Sequence, residues 1–414
     1  MPHTDLIQLV PQTMLVLVLI IVAAKFGGEI MVRLGQPPVL GELVVGVLLG
    51  NLNLFGITIL DPLKSSEPLA VLAEIGAILL LFEVGVESDL RQLLAVGWSS
   101  LVVAALGIIV PMILGYAVSL WLLPDASWLS HLFVAGTLTA TSVGITARVL
   151  KDLGKSQTKE ARIILGAAVV DDVIGLVVLA VITGLVTAAS THAGTGSVNP
   201  RAVLWIVAKA CGFLALAVII GRFWSQRAFL YAARLKTTGG LLTLCICFCF
   251  VVASLAAWAG LAPIVGAFAA GVVLEEVHYK PFVERGERKI GELLFPLTAL
   301  VVPVFFVLMG LRVDLHSFAS PAVLGFAALI TLAAVAGKQI CALGVLERGV
   351  SRLAIGIGMI PRGEVGLIFA GLGSTLMLEG RPILSQTTFS ALVLMVMLTT
   401  FVTPPLLKAA FKKG

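Results

Sequence analysis

Two adjacent aspartates, Asp171 and Asp172, lie in the middle of an apolar run that reads ILGAAVVDDVIGLVVLAV. A membrane helix over this run would hold both residues near the bilayer centre, where a charged aspartate costs roughly 2.5–3.5 kcal/mol on insertion scales. Neighbouring helix residues project about 100° apart, so one carboxylate can face a fixed cation while the other faces a cavity. We predict that the pair binds a proton or a cation; the alternative is a pair of protonated or salt-bridged acids that only fixes helix packing.

A lysine supplies the natural cationic partner for this pair. Lys338 lies within another apolar run, AAVAGKQICALG, too deep for its side chain to reach an interface easily. Burial disfavours its charge and a nearby carboxylate favours it, so its proton occupancy can change as the site changes. The simpler alternative for Lys338 is a static counter-ion.

Two further runs combine glycine or proline with polar side chains. The first, AGTLTATSVGITARV, carries Thr139, Thr141 and Ser142, and the second, GIGMIPRGEVG, contains a proline. Such interrupted segments at corresponding positions of two halves indicate a transporter binding site built on broken helices. Hydroxyl and carbonyl oxygens suit hard cations such as Na⁺ and Li⁺. The alternative for each hydroxyl is a hydrogen bond to the preceding helical turn.

Charged residues flank the glycine after that proline. Arg362 and Glu364 are two positions apart and would not face each other on a regular helix. We therefore interpret them mainly as members of structural ion pairs with other buried groups, rather than as direct ligands of a transported ion. The carboxylates that could complete such pairs are those of Glu42, Glu74 and Glu83.

The composition of the chain is that of a membrane protein. Of its 414 residues, 12% are charged and 59% are hydrophobic, and the mean hydropathy is +1.09. Soluble domains carry about 25% charged residues. The net charge of +5 therefore reflects basic loops at a membrane surface and does not indicate nucleic-acid binding. Nothing in the sequence calls for a cofactor.

Apolar runs bounded by charges, proline or glycine predict about thirteen membrane spans. Taking the loops alternately, one side carries 20 basic residues and the other carries 4. Basic loops stay in the cytoplasm, so we expect the N-terminus outside, the C-terminus inside, and most simply a plasma (inner) membrane location. The predicted spans are 12–34, 38–55, 68–88, 95–123, 130–150, 160–187, 202–225, 239–258, 261–277, 291–313, 321–346, 352–379 and 385–408.

The order of the spans predicts an all-α polytopic fold with internal symmetry. Residues 12–187 and 239–408 form two inverted six-helix repeats, joined by a connecting helix over 202–225. The fifth span of each repeat is broken, and we expect the two breaks to cross. The chain then forms a single membrane transport domain over 1–414 without a soluble regulatory domain.

The motifs together resemble the monovalent cation/proton antiporter superfamily, and within it the bacterial electrogenic sodium/proton antiporters of the NapA and NhaA type. The matching stretches are QPPVLGELVVGVLLG, LLLFEVGVESDL, TATS, VVDDVIG, PVFFVLMGLRVDL, GKQICALG and PRGEVGLI. The resemblance implies that Asp172 binds the transported Na⁺ or Li⁺ and the proton, that Asp171 pairs with Lys338, and that Thr139 and Thr141 lie at the helix crossing. It also implies a homodimer in the lipid bilayer, with a dimerisation half and a moving core half.

Three other functions fit parts of this sequence pattern. An electroneutral relative usually has Asn before the second Asp, and a glutathione-gated potassium efflux system usually has Gln there; the latter also adds a nucleotide-binding unit with a GxGxxG motif, which this sequence lacks. An intramembrane aspartyl protease would place its two aspartates on separate helices. We therefore expect a secondary transporter that exchanges Na⁺, Li⁺ or K⁺ for H⁺, and not an enzyme.

Overall fold

The computed structural model of the chain describes residues 4–87, 97–155, 157–191, 240–274, 289–378 and 380–412, together with the helical run 211–217 and a few helical positions around it between 205 and 227. These residues are almost entirely helical, apart from a two-residue antiparallel pairing of Met377–Leu378 with Arg381–Pro382. The helices are α1 (Thr4–Arg33), α2 (Pro38–Gly50), α3 (Glu67–Glu87), α4 (Trp98–Leu122), α5 (Trp128–Thr137), α6 (Val143–Asp152), α7 (Lys159–Thr191), α8 (Gly240–Trp258), α9 (Pro263–Val273), α10 (Ile290–Leu311), α11 (Pro321–Cys341), α12 (Arg352–Gly358), α13 (Gly363–Thr375) and α14 (Gln386–Lys412).

Among the described residues, eight single helices are long and apolar enough to cross a membrane, and the bent pair α12–α13 makes a ninth. The prediction of an all-α polytopic membrane protein is therefore confirmed. Helices lie in twelve of the predicted spans, and within the seventh, over 202–225, the positions that the structure describes, including 211–217, are all helical. The total of thirteen spans, the inverted repeats and the domain limits stay predictions.

Both predicted helix interruptions are present. Residues 138–142 separate α5 from α6, and residues 359–362 separate α12 from α13, whose axes are bent by 44°. The hydroxyl of Ser127 caps α5 by accepting a hydrogen bond from the backbone N–H of Ser130 at 3.1 Å. Pro361 cannot donate a helical hydrogen bond, which contributes to the second break; Pro111 lies inside the continuous helix α4, so a proline alone is not sufficient.

The chain divides into two compact units. The first consists of residues 1–71, 95–175 and 303–414, and the second of residues 72–94 and 176–302. In the first unit, α11 packs against α4, α12 and α14, and α1 packs against α2. In the second, α8 packs against α9 around a core that includes Phe82, Cys245 and Cys249.

Glycine sets the distance between α1 and α2. A Cβ placed on Gly41 would lie 2.0 Å from the carbonyl oxygen of Gly27, and a Cβ placed on Gly27 would lie 2.5 Å from the carbonyl oxygen of Gly41. Only hydrogen fits between the two backbones at this crossing, as is common in close packing of membrane helices. The two helices therefore cannot keep this contact if either glycine gains a side chain.

We predict that Gly41→Ala destabilises the protein by about 1–3 kcal/mol, the usual cost of an overpacked core, because backbone atoms and not a flexible side chain block the new methyl group. Thermal unfolding of the purified protein in detergent measures the change. Gly325→Ala is the matched control: it is also a helix interior position, on α11, and nothing lies within 4 Å of its added Cβ. Equal melting temperatures for the two variants would contradict the prediction.

Candidate functional site

A buried ion pair lies at the centre of the first unit. Lys338 Nζ on α11 donates a hydrogen bond to Asp171 Oδ2 on α7 at 3.1 Å, and the two side chains are 0% and 1% exposed. The pairing predicted from the sequence is thus present. A buried pair offsets its desolvation cost only through its mutual attraction and further hydrogen bonds, so each charge depends on the other.

Helix α4, which packs against α11, leaves room for the long side chain of Lys338. A Cβ placed on Gly107 of α4 would lie 3.2 Å from Lys338 Nζ, and one placed on Gly337 would lie 2.9 Å from Pro111 Cα. Close backbone contact between α4 and α11 therefore leaves room for the ammonium group at Gly107. The thiol of Cys341 donates to the carbonyl oxygen of Lys338 at 2.8 Å, which ties it to the last turn of the helix.

Asp172 differs from its neighbour. Its side chain is half-buried, whereas that of Asp171 is fully buried, and no salt bridge to Asp172 is found among the residues that the structure describes. It experiences the charges of Asp171, Glu364 and Lys338. The two adjacent carboxylates therefore face different surroundings, as the 100° offset on a helix requires.

The two helix breaks meet directly. The backbone N–H of Ser142 donates to the carbonyl oxygen of Pro361 at 2.7 Å, and the hydroxyl of Thr146 donates to the carbonyl oxygen of Gly358 at 2.7 Å. Backbone groups that a regular helix would satisfy internally are thus satisfied by the opposite break. This is how unwound backbone becomes tolerable at membrane depth.

Ser142 also contacts the acidic residue that follows the second break. Its hydroxyl donates to Glu364 Oε2 at 2.9 Å, and Glu364, like Asp172, is half-buried. Gly363 has φ +37°, and a Cβ there would lie 2.5 Å from Ser142 Cβ. The glycine therefore permits both the turn into α13 and the approach of Ser142 to the carboxylate.

Arg362 is fully buried and binds backbone. Its guanidinium donates to the carbonyl oxygens of Ala140 at 3.0 Å, Ala334 at 3.0 Å and, more weakly, Met359 at 3.4 Å. It also experiences the charge of Asp171. Its observed hydrogen bonds thus connect both breaks to α11 through carbonyl oxygens. The predicted partnership of Arg362 with Glu74 or Glu83 stays a prediction.

The two threonines of the first break serve different purposes. Thr139 donates to the carbonyl oxygen of Gly136 at 2.8 Å, so its hydroxyl makes the local bond that was the alternative to ion binding. Thr141 lies beside the carboxylate of Asp171. Neither Thr141 Oγ1 nor Asp171 Oδ1 has a hydrogen-bond partner of standard geometry, although both atoms are buried. The hydroxyl of Thr141 nevertheless interacts with the carboxylate of Asp171, which it helps to keep ionised.

Comparisons with known proteins decide the family. The profile of the family described as sodium/hydrogen exchanger, transmembrane, matches residues 15–413. The chain belongs to this sodium/hydrogen exchanger family. It is 38% identical to the high-affinity Na⁺/H⁺ antiporter NhaS3 of Synechocystis, over 96% of this chain and 90% of that protein. It is 36% identical to the Na⁺/H⁺-K⁺ antiporter GerN of Bacillus cereus, over 95% of each chain.

A solved structure shares the fold of this exchanger. The sodium proton antiporter MjNhaP1 of Methanocaldococcus jannaschii superposes with a TM-score of 0.70 over 97% of both chains, at 16% sequence identity. Members of this family are transporters and not enzymes, as the sequence predicted. Within the described part of the exchanger there is no group of three or more His, Cys, Asp or Glu side chains that would hold a resident metal ion.

Some contacts of the exchanger site were not predicted from the sequence. Arg362 binds the carbonyl oxygens of Ala140 and Ala334, and an alanine in the sequence gives no indication that its carbonyl group binds an arginine. The hydrogen bond from Ser142 to Glu364 spans 222 positions, and only the expected crossing of the two breaks hinted at it. Glu74 and Glu83 lie on α3 in the second unit, and their roles stay predictions.

We predict that Gly363→Ala lowers the exchange activity of this transporter and destabilises it by about 1–3 kcal/mol, because a left-handed backbone and the contact with Ser142 both exclude a methyl group. Transport in proteoliposomes and thermal unfolding in detergent measure the two effects. Gly291→Ala on α10 is the control, since a Cβ there meets nothing within 4 Å. Wild-type transport by Gly363→Ala would show that the turn is not required.

Proposed function

We propose that this protein exchanges a monovalent cation, Na⁺ or Li⁺, for H⁺ by alternating access, and that both ions compete for Asp172. One observation carries the proposal. A half-buried aspartate without a salt bridge among the described residues lies next to a fully buried Asp171–Lys338 ion pair, where two broken helices meet. Half-buried and next to a buried ion pair, this carboxylate is suited to bind either a cation or a proton.

Competition for one carboxylate is sufficient to couple the two fluxes. Asp172 binds a cation when it is ionised and releases it when it is protonated, so the two ions exclude each other. Moving the empty ionised site through the membrane would carry the charge penalty of a bare aspartate, about 2.5–3.5 kcal/mol, which opposes uncoupled turnover. The loaded site changes its exposure between the two sides, as alternating access requires.

We further propose that exchange is electrogenic. If Lys338 releases a proton when cation binding opens its pair with Asp171, more positive charge enters as protons than leaves as cations. The membrane potential then contributes about 2.3 kcal/mol for each net charge per 100 mV. Lys338 would thus couple the stoichiometry of exchange to the potential.

The relatives support the choice of ions. The similar proteins of Synechocystis and Bacillus cereus are named as Na⁺/H⁺ antiporters, and the name of the second also includes K⁺. We propose Na⁺ and Li⁺ as principal substrates, with K⁺ as the competitor to test. We also propose, from the excess of basic residues on one side, a plasma-membrane location with the C-terminus in the cytoplasm. The proposal of a homodimer rests on the family resemblance.

A pH-gradient assay tests the function. Purified protein is reconstituted into liposomes that hold an acidic interior, reported by a pH-sensitive dye, and NaCl, LiCl, KCl or choline chloride is then added outside. An exchanger collapses the gradient with Na⁺ or Li⁺ and does not respond to choline. No collapse with any of the three metal cations, in protein that is monodisperse and well reconstituted, would refute the proposal.

A further inference from the structure

Glu364 follows the second helix break and interacts with the aspartate pair. It is half-buried like Asp172, the two carboxylates interact electrostatically, and Ser142 holds Glu364 Oε2 with a 2.9 Å hydrogen bond. The left-handed turn at Gly363 brings Ser142 and the carboxylate together.

The charges of the side chains around Asp172 also favour Glu364 as a ligand of the cation. The interacting members of this cluster are two cationic side chains, Lys338 and Arg362, and three carboxylates, Asp171, Asp172 and Glu364. When all five are ionised, these groups by themselves carry one net negative charge. A single monovalent cation, or a single proton, restores neutrality. Without Glu364 the remaining four charges already balance, and the cluster would hold a cation much less strongly.

We propose that Glu364 and Asp172 together hold the transported cation, and that the Ser142 hydroxyl positions Glu364 for this role. The inference rests on the proposed function and identifies a further binding residue and a positioning residue for it. The cation lies between carboxylates supplied by α7 and α13, so its site depends on both the aspartate helix and the second break. This assignment replaces the sequence-based interpretation of Glu364 as a structural ion-pair residue.

The competing role for Glu364 is purely structural. It is the second residue of α13, and an acidic side chain in the first turn stabilises a helix through its dipole. Glu292 occupies a similar first-turn position on α10 but belongs to no such cluster. Glu292→Gln therefore reports the cost of losing a first-turn charge alone and serves as the matched control.

The experiment measures Na⁺ binding and transport for the same variants. Equilibrium binding of radioactive Na⁺ to purified protein gives the dissociation constant, and proteoliposome transport gives KM and kcat. We expect Glu364→Gln to weaken Na⁺ binding about tenfold and to raise KM in parallel, with kcat changed much less, because a charged contact with the cation is lost. Glu364→Asp keeps the charge and should recover most of that loss.

Ser142→Ala tests the positioning role. The carboxylate remains but loses its hydrogen bond, so we expect about a threefold weaker Na⁺ binding, a fraction of the effect of losing the charge. Ser100→Ala is its control, because Ser100 is another buried serine whose hydroxyl donates to a carbonyl oxygen, that of Ile163, outside the cluster. It should bind Na⁺ like the wild type.

The outcomes separate this inference from the proposed function. Wild-type Na⁺ affinity in Glu364→Gln, with Asp172→Asn inactive, would overturn the shared site and leave exchange at Asp172 intact. A loss of stability in Glu364→Gln that matches Glu292→Gln, without a change in affinity, would assign Glu364 the structural role. If Glu364→Gln does not fold, Ser142→Ala decides: wild-type affinity in that variant would overturn the inference. Full exchange by Asp172→Asn would refute the proposed function itself.

Discussion

Replacing Asp172 by asparagine is expected to lower cation-driven proton exchange by about a hundredfold or more, equivalent to about 2.7 kcal/mol of lost binding free energy. Asparagine keeps the size of the side chain but binds neither a proton nor, with comparable strength, a monovalent cation. The adjacent ion pair between Asp171 and Lys338 does not depend on the Asp172 carboxylate, so the fold should persist. Collapse of a pH gradient in proteoliposomes on addition of Na⁺ or Li⁺ measures the loss.

The same substitution at Asp61 provides the control for this experiment. Asp61 forms a partly exposed salt bridge with Lys64 at 3.0 Å, in a short 3₁₀ helix outside the cluster. Exposed pairs of this kind contribute about 0–1 kcal/mol, so Asp61→Asn should transport like the wild type. Full-speed exchange by Asp172→Asn, in protein that unfolds at the wild-type temperature, would eliminate Asp172 as the coupling site.

The second large effect is expected at Lys338. Lys338→Gln leaves the fully buried carboxylate of Asp171 without its cation, and breaking a buried pair by removing one partner costs about 3–5 kcal/mol. We also expect the transport current to disappear while cation exchange continues more slowly, because the proton that makes the cycle electrogenic is no longer supplied. Thermal unfolding measures the first effect, and currents on a solid-supported membrane measure the second.

A double variant separates the two contributions of Lys338. Asp171→Asn combined with Lys338→Gln removes both buried charges, so most of the lost stability should return, whereas the current should not. If Lys338→Gln retained the wild-type current per exchanged cation, the lysine would have no part in electrogenic coupling. If the double variant were as unstable as the sum of both single variants, the pair would not be energetically coupled.

Local signals in the sequence predicted the helices and both breaks. Long apolar runs and their boundaries follow directly from the hydrophobic thickness of a bilayer, and Pro361 next to glycine and charged residues marks the second break, although Pro111 alone does not interrupt α4. A pair between the aspartate doublet and Lys338 was predictable because isolated opposite charges at membrane depth need each other, whereas the choice of Asp171 as the partner was implied by the family resemblance. The predicted seventh span, 202–225, is described only in part, and its described positions are helical.

The finer geometry of the site depends on contacts between distant segments. No local pattern shows that Arg362 binds the carbonyl oxygens of Ala140 and Ala334, since carbonyl groups are common to all residues. Likewise, the position of Glu364 was interpreted from its spacing to Arg362 alone, and spacing on a regular helix does not apply across the left-handed residue Gly363. Such features follow from how the two breaks cross, which periodicity does not encode.

The hydrogen bond between Ser142 and Pro361 has a mechanical consequence for the transport cycle. Sliding one interrupted span along the other would cost this bond and the one from Thr146 to Gly358, and both would be left unsatisfied away from water. The two interrupted spans should therefore travel as one rigid piece during turnover. The conformational change must then take place at the boundaries of this rigid body. The ligands of the ion can therefore stay nearly constant throughout the transport cycle.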